Sequence, residues 1–403
     1  MLFIIALRNL WRNTRRSLIL ITAVTIGIWF GIFLMSFYNG MIEDRIHTAV
    51  YSELSHFQIH HAAFSKDRDI KYFLPEGKSI LKKISKDPMV ECASGRIVLS
   101  GMIASPAGSS GILVNGIMPS DEKRLTGLDK KLIDGKYFDT LKKGEMIISE
   151  KLCKKLKLKL NKKAIVTFQD KQGEFASIAF RIKGIYRTIN GPYDDRNIFV
   201  KIDEIDSLAG IGGQLNEIAV LLKSGNTLNQ VISKYKNEYR PVKFEDWMEL
   251  EPELGLAVSV LDQMVYLFMG IITLALAFGI INTMMMSVLE RTREIGMLIA
   301  LGMTRQKIFM MIILETCFLS ILGIPLGVLI AIAMIGITAH TGIDFSAFTG
   351  VYSTFGYHSI IYPKLSMDHL ITTVILVMVT SLISSIFPAI RALKMEPSES
   401  LKK

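Results

Sequence analysis

The chain has 403 residues, of which 50% are hydrophobic and 21% charged, and its formal net charge is +10. A mean hydropathy of +0.36 excludes an ordinary soluble protein, and the charged fraction excludes a bare helix bundle. We therefore expect membrane helices together with a sizeable water-exposed domain. Many basic residues flank apolar runs, which favours membrane headgroups over nucleic acid as the reason for the charge.

Four apolar stretches are long enough to cross a bilayer, which takes about 20 residues per helix. We place them at 17–39, 263–289, 308–338 and 369–390. Each should be a helix, because hydrocarbon offers the backbone no other hydrogen-bond partners. The first stretch is too long for a signal-peptide core and no cleavage pattern follows it, so it is interpreted as an uncleaved anchor.

Basic residues predict the orientation of these stretches. Arginines and lysines concentrate in an amphipathic segment at 1–16, in the segment 290–307 and in the tail 391–403. After four crossings all three segments fall on one side, which the positive-inside rule makes the cytoplasm. The segment 40–262 and the outer loop 339–368 then lie on the opposite side.

The segment 40–262 has the pattern of a folded α+β domain. Alternating runs at 56–60, 164–168, 179–183 and 217–221 predict strands, and helical patterns occur at 77–86, 149–158 and 227–239. A segment of this length can bury a core of its own. We expect an inserted lobe near residues 110–175.

No catalytic or metal-binding constellation is visible in the sequence. A Gly-x-x-x-x-Gly-Lys-Ser/Thr phosphate loop and a His-Glu-x-x-His zinc motif are both absent. His60 and His61 are adjacent on a predicted strand and point to opposite faces, which favours structural or exposed roles over a metal site. The three cysteines form no redox motif, and a disulfide between Cys92 and Cys153 is allowed but not indicated. We expect a non-catalytic chain that binds no metal or cofactor itself.

The charged segment 290–307 separates the second and third apolar stretches. Its pattern predicts a short amphipathic helix in the plane of the membrane surface, with Gly302 as its stop. A helix that merely joins two spans is one interpretation. Glu290 and Glu294 favour another, since anionic headgroups would repel them whereas a cationic protein groove would bind them.

The spacing Glu290-Arg-x-x-Glu-Ile-Gly-x-x-x-Ala-x-Gly-x-x-x-x-x-Ile308 resembles the coupling-helix signature of FtsX-like ABC transporter permeases. That family includes MacB-type exporters and lipoprotein-releasing permeases. The resemblance implies that the segment docks on an ATPase through Glu290, Arg291, Glu294, Ile295, Gly296, Leu298, Ala300, Gly302 and Ile308.

Other motifs extend the resemblance over nearly the whole chain. The tail, with Pro388 and Arg391 followed by Pro397, is similar to the end of that family. Gly135-Lys-Tyr-Phe and Gly144-Glu-Met-Ile-Ile-Ser-Glu resemble the MacB-type periplasmic core. Asn39-Gly-Met and His56-Phe-Gln-Ile are similar to the lipoprotein-releasing branch.

The resemblance implies a mechanism and a set of partners. Two permease subunits, alike or related, would pair with two separate ATPase subunits that bind ATP and Mg²⁺. Only about 16 residues precede the first apolar stretch, so we expect the ATPase to be a partner. Motion of the ATPases would pass through segment 290–307 and do work on cargo outside the membrane. The protein should be a multi-pass protein of a bacterial inner membrane with its large domain in the periplasm.

Three functions stay open within the family. The leading hypothesis is extraction of lipoproteins from the inner membrane, with a lipoprotein or its chaperone as a partner. The second is MacB-like efflux of amphiphiles or peptides with a periplasmic adaptor. The third is FtsX-like signalling to a cell-wall hydrolase, and outside the family the chain could be a membrane-anchored sensor without an ATPase.

Further residues within the apolar stretches are candidates for functional contacts. Gly27 and Gly31 form a Gly-x-x-x-Gly pattern that permits close helix approach and suggests a subunit contact. Adaptable side chains suggest a lipid-accepting surface, and ordinary packing is the alternative for them. They are Phe30, Phe37, Met264 and Phe268. Glu315, inside the third stretch, should pair with a basic residue or reach the membrane surface.

Overall fold

The computed structural model describes residue 8 and residues 14–64, 68–139, 142–239 and 242–393. Most of the predicted segment 1–16, most of the tail 391–403 and Pro397 lie outside these residues. The chain divides into two compact units. The helix unit comprises residues up to Ile42, Val258–Asp344 and the chain from Ile360, and the sheet unit comprises Glu43–Ala257 and Phe345–Ser359.

Four helices in the described part of the chain are long and apolar enough to cross a membrane. They are α1 (Thr14–Ala49), α9 (Pro252–Glu290), α11 (Arg305–Thr341) and α13 (Met367–Leu393). Each includes one predicted stretch and continues past it into polar sequence. A single π-helical turn, Val50–Leu54, follows α1 directly.

Close packing of α1 on α11 depends on two glycines. A Cβ on Gly323 would lie 3.0 Å from Val24, and a Cβ on Gly327 would lie 2.8 Å from Ile28. The hydroxyl of Thr25 donates a hydrogen bond to the Gly323 carbonyl over 3.2 Å. This small-residue approach is the usual way for helices to associate where water supplies no driving force.

The sheet unit is built on one continuous mixed sheet. Its strands are β1 (Phe57–His61), β2 (Val90–Ser105), β3 (Gly108–Ile117), β4 (Leu132–Gly135), β5 (Glu145–Ser149), β6 (Lys163–Gln169), β7 (Phe175–Tyr186), β8 (Asn197–Lys201), β9 (Glu217–Leu222) and β10 (Val242–Asp246). The order is β10-β1-β9-β2-β3-β8-β5-β7-β4, and β6 pairs with β2 and β7. The four predicted strands fall on β1, β6, β7 and β9.

Short helices cover this sheet. They are α2 (Gly77–Ile84), α3 (Pro119–Leu125), α4 (Glu150–Lys155), α5 (Gly191–Asp194), α6 (Ile202–Ala209), α7 (Leu228–Lys236) and α8 (Trp247–Leu250). The three predicted helices correspond to α2, α4 and α7, and each is shorter than the sequence pattern suggests. Four further elements are α10 (Thr292–Ala300), β11 (Ile343–Asp344), α12 (Thr349–Thr354) and β12 (Ile360–Ile361).

Several hydrophobic clusters of described residues pack on this sheet, and two of them are large. One gathers Phe57, Ile80, Ile218 and Phe244 around β1 and β9. The other gathers buried residues from Ile97 to Ile211, with Ile70, around β2, β6 and β7. The 16-residue strand β2 joins them, because its first half pairs with β9 and its second half with β3 and β6. The predicted fold class, four membrane-type helices with a large α+β domain, is confirmed; an insertion at 110–175 stays a prediction.

Candidate functional site

The segment between α9 and α11 folds as the short helix α10. Its end is a Schellman motif: the Met303 N–H donates to the Leu298 carbonyl and the Gly302 N–H donates to the Ile299 carbonyl, each over 3.0 Å. Gly302 has φ +90°, a conformation that glycine adopts without strain. The helix thus ends where the sequence predicts its stop.

One side of α10 is packed into the helix unit. Ile295 and Ile308 are buried in the same hydrophobic core as Leu20 of α1, and Gly296 is also buried. Leu298 is half-buried. The spacing of these residues therefore serves to pack the segment against the helix bundle.

The other side of α10 is exposed, and it bears basic, acidic and apolar side chains. Arg293 and Glu294 stand at its start, and Met297 and Leu301 follow with 55% and 77% of their surfaces exposed. Residues at i, i+3 and i+7 share a helix face, so Glu294, Met297 and Leu301 form one surface, which we call the α10 outer face. Ala300 and Gly302 are exposed beside it.

Sequence reasoning missed Met297 and Leu301. It assigned the apolar docking contacts to Ile295 and Leu298, which the structure places on the inner side or at its edge. The helical spacing counted from Glu294 places Met297 and Leu301 on one face, but spacing alone does not determine which face of the helix is exposed. The outer face thus offers a carboxylate beside two large apolar side chains.

Arg291 is turned into the bundle. Its Nη1 donates to Glu315 Oε1 over 3.0 Å and to Oε2 over 3.3 Å, and both side chains are less than a tenth exposed. Glu315 thus pairs with a basic residue, one of the two outcomes considered for it. A contact between Arg291 and another protein stays a prediction. In the structure, Arg291 fixes the start of α10 to α11.

Glu290, the last residue of α9, is exposed and forms an ion pair with Arg16 of α1. It therefore links two helices of the chain as well as facing solvent. Pro388 is buried within α13 and Arg391 is exposed near its end. Pro397 lies outside the described residues.

The residues suggested as a substrate or subunit face divide into two groups. A Cβ on Gly27 would lie 3.3 Å from Leu276, and one on Gly31 would lie 3.0 Å from Thr373 and 3.3 Å from Met269. Both glycines thus pack against helices of their own chain, and a subunit contact at these positions stays a prediction. Phe30, Met264 and Phe268 are each close to half exposed, and Phe37 is partly buried.

His60 has a structural setting. Its Nδ1 lies 3.1 Å from Glu245 Oε2 and its Nε2 lies 3.3 Å from Glu217 Oε2, deep within the sheet unit. Burial lowers the pKa of His60, but the hydrogen bonds to Glu217 and Glu245 outweigh it and hold this pKa above its ordinary value. Glu217 is shared with Arg96, whose Nη1 donates to it over 2.9 Å.

No group of three or more potential metal ligands occurs within the described ranges. Cys92 and Cys153 are buried free thiols. Burial raises the pKa of Cys153 to about 12, which makes it a poor nucleophile.

Two family models match this chain. The FtsX-like permease C-terminal model matches residues 266–397, and the MacB-like periplasmic core domain model matches residues 17–237, more than half of the chain. The chain belongs to the FtsX-like, MacB-type family of ABC transporter permeases. The resemblance stated from the sequence is thereby confirmed.

Three relatives show how far the similarity extends. An uncharacterized ABC transporter permease of Methanocaldococcus jannaschii is 32% identical over 55% of this chain and 55% of its own length. The lipoprotein-releasing system transmembrane protein LolC of Buchnera aphidicola is 25% identical over 98% of this chain and 97% of its own length. The macrolide export ATP-binding/permease protein MacB of Mannheimia succiniciproducens is 26% identical over 62% of this chain and 40% of its own length.

The extent of the match differs between these relatives. The chain spans about half the length of the archaeal permease and less than half of MacB, but nearly all of LolC. The match to the MacB-like periplasmic core covers most of the sheet unit, and the FtsX-like match covers α10, α11 and α13. Both parts of the permease layout are therefore present in one chain.

Proposed function

We propose that this chain is the permease subunit of an ABC transporter in which a separate ATPase docks on the α10 outer face. The observation that carries the proposal is the two-sided character of α10. Its inner side is fixed to the bundle by Ile295, Ile308 and the Arg291–Glu315 pair, while Glu294, Met297 and Leu301 face outward. A rigidly seated helix with an exposed acidic and apolar face is suited to transmit a push from a partner.

The chemistry of that face indicates the kind of groove it would enter. Large apolar side chains such as Leu301 act as anchors in protein interfaces, and an adjacent carboxylate favours a partner with arginine or lysine at the rim. On the positive-inside rule, α10 would lie in the cytoplasm, where ATP is available. The sheet unit would then be periplasmic, in a bacterial inner membrane.

A pull-down tests the docking proposal. The tagged full-length chain is purified in detergent from its own membranes, and co-purifying proteins are identified by mass spectrometry and assayed for ATP hydrolysis. An ABC ATPase should be recovered, and Glu294→Lys or Leu301→Asp should lower its recovery at least about tenfold. Phe175→Asp is the matched control, since Phe175 is equally exposed, at 77%, but lies on the sheet unit.

Two results would contradict the docking proposal. Recovery of the chain without any ATPase would favour the membrane-anchored sensor. Equal recovery of the ATPase with Leu301→Asp and with the wild-type chain would remove the α10 outer face as its docking site.

For the cargo, we propose release of lipoproteins from the membrane. The support is that the alignment with LolC covers almost the whole of both chains, including both units. Proteoliposomes that contain the chain, its ATPase and a fluorescent acylated lipoprotein should release the lipoprotein when ATP is added. A non-acylated version of the same protein, trapped inside the vesicles, controls for leakage.

MacB-like efflux is the second candidate, and it is favoured by the match to the MacB-like periplasmic core. It predicts a periplasmic adaptor among the co-purifying proteins and ATP-dependent movement of a small amphiphile. If the proteoliposomes release no lipoprotein although ATP is hydrolysed, the lipoprotein proposal fails and efflux takes its place. A cell-wall hydrolase in the pull-down would instead indicate FtsX-like signalling.

A further inference from the structure

A cavity of about 450 Å³ lies within the sheet unit. Its wall includes Arg45 near the end of α1, Glu53 in the π-helical turn, Glu251 before α9 and Tyr357 in the segment that follows α12. The exposed side chains of Arg68 and Arg196 also line it, so the cavity opens to solvent. Its volume is within the range of small-molecule binding sites.

The guanidinium of Arg45 lines this cavity and does not use all of its hydrogen-bond donors among the described residues. The side chain is 4% exposed, and its Nε donates to the Phe355 carbonyl over 3.2 Å. Nη1 is 3.6 Å from Glu53 Oε2 and Nη2 is 3.7 Å from Glu251 Oε2, which are ion-pair distances but too long for hydrogen bonds. Among the described residues Nη1 has no hydrogen-bond partner. A guanidinium fork held in this way is suited to a planar anion such as a carboxylate.

The carboxylate of Glu53 lines the same cavity, and one of its oxygens accepts no hydrogen bond from the described residues. Its side chain is fully buried, and its Oε2 accepts a hydrogen bond from Asn190 Nδ2 over 2.8 Å. Its Oε1 is buried and finds no hydrogen-bond partner in the described part of the chain. The Tyr357 hydroxyl is also buried and likewise has no hydrogen-bond partner among the described residues. Buried polar atoms are normally hydrogen-bonded, so three such atoms around one cavity point to a polar occupant.

The charges of the lining decide which occupant fits. Four arginines and four glutamates line the cavity within the described ranges. One of the arginines, Arg96, is already bound to Glu122 and Glu217. A simple anion at Arg45 would meet the carboxylates of Glu53 and Glu251, and a simple cation would meet Arg45. A molecule that has both charges a few atoms apart avoids the like-charge repulsion in both cases.

We propose that this cavity binds a small zwitterion, namely a free α-amino acid or a short peptide. The carboxylate of the ligand binds the Arg45 fork and accepts a hydrogen bond from the Tyr357 hydroxyl. Its ammonium group lies between Glu53 and Glu251. The proposal is independent of the function proposed above, because none of these residues belongs to α10, and Arg45 lies in the part of α1 that belongs to the sheet unit.

Calorimetric titration of the purified full-length chain in detergent tests this proposal. The probes are alanine, alanyl-alanine, N-acetyl-alanyl-alanine, which lacks the ammonium group, and alanyl-alanine amide, which lacks the carboxylate. Alanine or alanyl-alanine should bind, and each blocked derivative should bind at least about tenfold more weakly. Phosphoethanolamine is included because it has the same two charges but comes from lipid headgroups.

Three variants and a matched pair of controls locate the site. Arg45→Lys keeps the charge but loses the fork, Glu53→Gln loses the partner of the ammonium group, and Tyr357→Phe loses only a hydroxyl. Arg45→Lys and Glu53→Gln should each weaken binding at least about tenfold, and Tyr357→Phe should weaken it a few-fold. Arg187→Lys and Glu150→Gln, which alter an exposed ion pair elsewhere on the sheet unit, should leave binding unchanged.

The outcomes separate cleanly. Binding of the free dipeptide that depends on both of its termini and on Arg45 supports the proposal. It is overturned if no probe binds, which would leave the cavity to water, if the blocked derivatives bind equally well, or if only phosphoethanolamine binds. Should a buried variant fail to fold, as judged by its circular dichroism spectrum, Tyr357→Phe still reports on the site, since it removes a single hydroxyl from a side chain that is only partly buried.

Discussion

The guanidinium of Arg291 donates from one nitrogen to both carboxylate oxygens of Glu315, over 3.0 and 3.3 Å. Arg291 is the residue between α9 and α10, and Glu315 lies on α11. This ion pair therefore fixes the start of the short helix to the long helix that follows it. Pressure on the α10 outer face would reach α11 through this contact.

Loss of one partner should destabilise the helix unit. We expect Glu315→Gln or Arg291→Met to lower the free energy of unfolding by about 3–5 kcal/mol, because the remaining charge stays buried without its partner. The double variant Arg291→Met with Glu315→Leu should regain much of this loss. Thermal unfolding in detergent measures the cycle, with Lys154→Ala, at an exposed ion pair, as the control without effect.

A wider role for this pair follows if the ATPase docks on α10. The double variant should then be stable but poorly coupled, hydrolysing ATP at a near-normal rate while releasing less cargo. A double variant that is stable and fully active would show that the ion pair contributes only to stability.

The packing of α1 on α11 gives a second prediction. A Cβ at position 327 would approach Ile28 to 2.8 Å and the Thr25 carbonyl oxygen to 2.8 Å. Gly327→Val should therefore separate the two helices and cost about 1–3 kcal/mol of stability. Gly336→Ala is the control on the same helix, since its Cβ would meet nothing within 4 Å and alanine favours the helix. Equal unfolding temperatures for these two variants would contradict this account of the packing.

The sequence predicted the fold better than it predicted which side chains face outward. Long apolar stretches and alternating runs determine the four helices and the strands β1, β6, β7 and β9, because hydrocarbon and a half-buried sheet each impose one periodicity. The spacing around Glu294 identified the family and the position of α10. It could not assign the two sides of α10, since Ile295 and Leu301 are equally apolar and only tertiary packing decides which is buried.

Two further features depend on distant parts of the chain. Gly323 and Gly327 form a Gly-x-x-x-Gly pattern like that of Gly27 and Gly31, but which glycines meet which helix depends on the arrangement of all four helices. The cavity around Arg45 brings together residues more than 300 positions apart, such as Arg45 and Tyr357. Local pattern alone contains no information about such pairings.

The His60 cluster predicts a particular dependence of stability on pH. His60 has its pKa raised by Glu217 and Glu245, against the effect of burial. Its contribution is therefore complete below the ordinary pKa of 6.5 and is lost as the pH rises through the folded-state pKa. Burial would raise the pKa of Glu217, but His60 and Arg96 lower it to about 2. The contribution of Glu217 is therefore complete above the ordinary pKa of 4.5 and is lost as the pH falls toward 2.

We therefore expect these residues together to stabilise the sheet unit most between about pH 4.5 and 6.5. His60→Gln should remove the part of the alkaline decline that comes from His60, as measured by chemical unfolding between pH 5 and 9. The control is His61→Gln, since His61 is the neighbouring histidine on the opposite face of β1. A decline unchanged by His60→Gln would show that other groups cause it.

The end of α10 offers a test of backbone conformation without a change of contacts. Gly302 has φ +90°, and a Cβ there would meet nothing within 4 Å, so any cost of substitution comes from the left-handed backbone alone. Gly302→Ala should lower stability by about 1 kcal/mol, and Gly302→Asn by less, because asparagine tolerates this conformation better. In the pull-down, Gly302→Ala should also weaken ATPase recovery, since a frayed last turn displaces Leu301. Thermal unfolding gives the order of stability, and an alanine variant as stable as the wild-type chain would contradict the Schellman end as the feature that positions the α10 outer face.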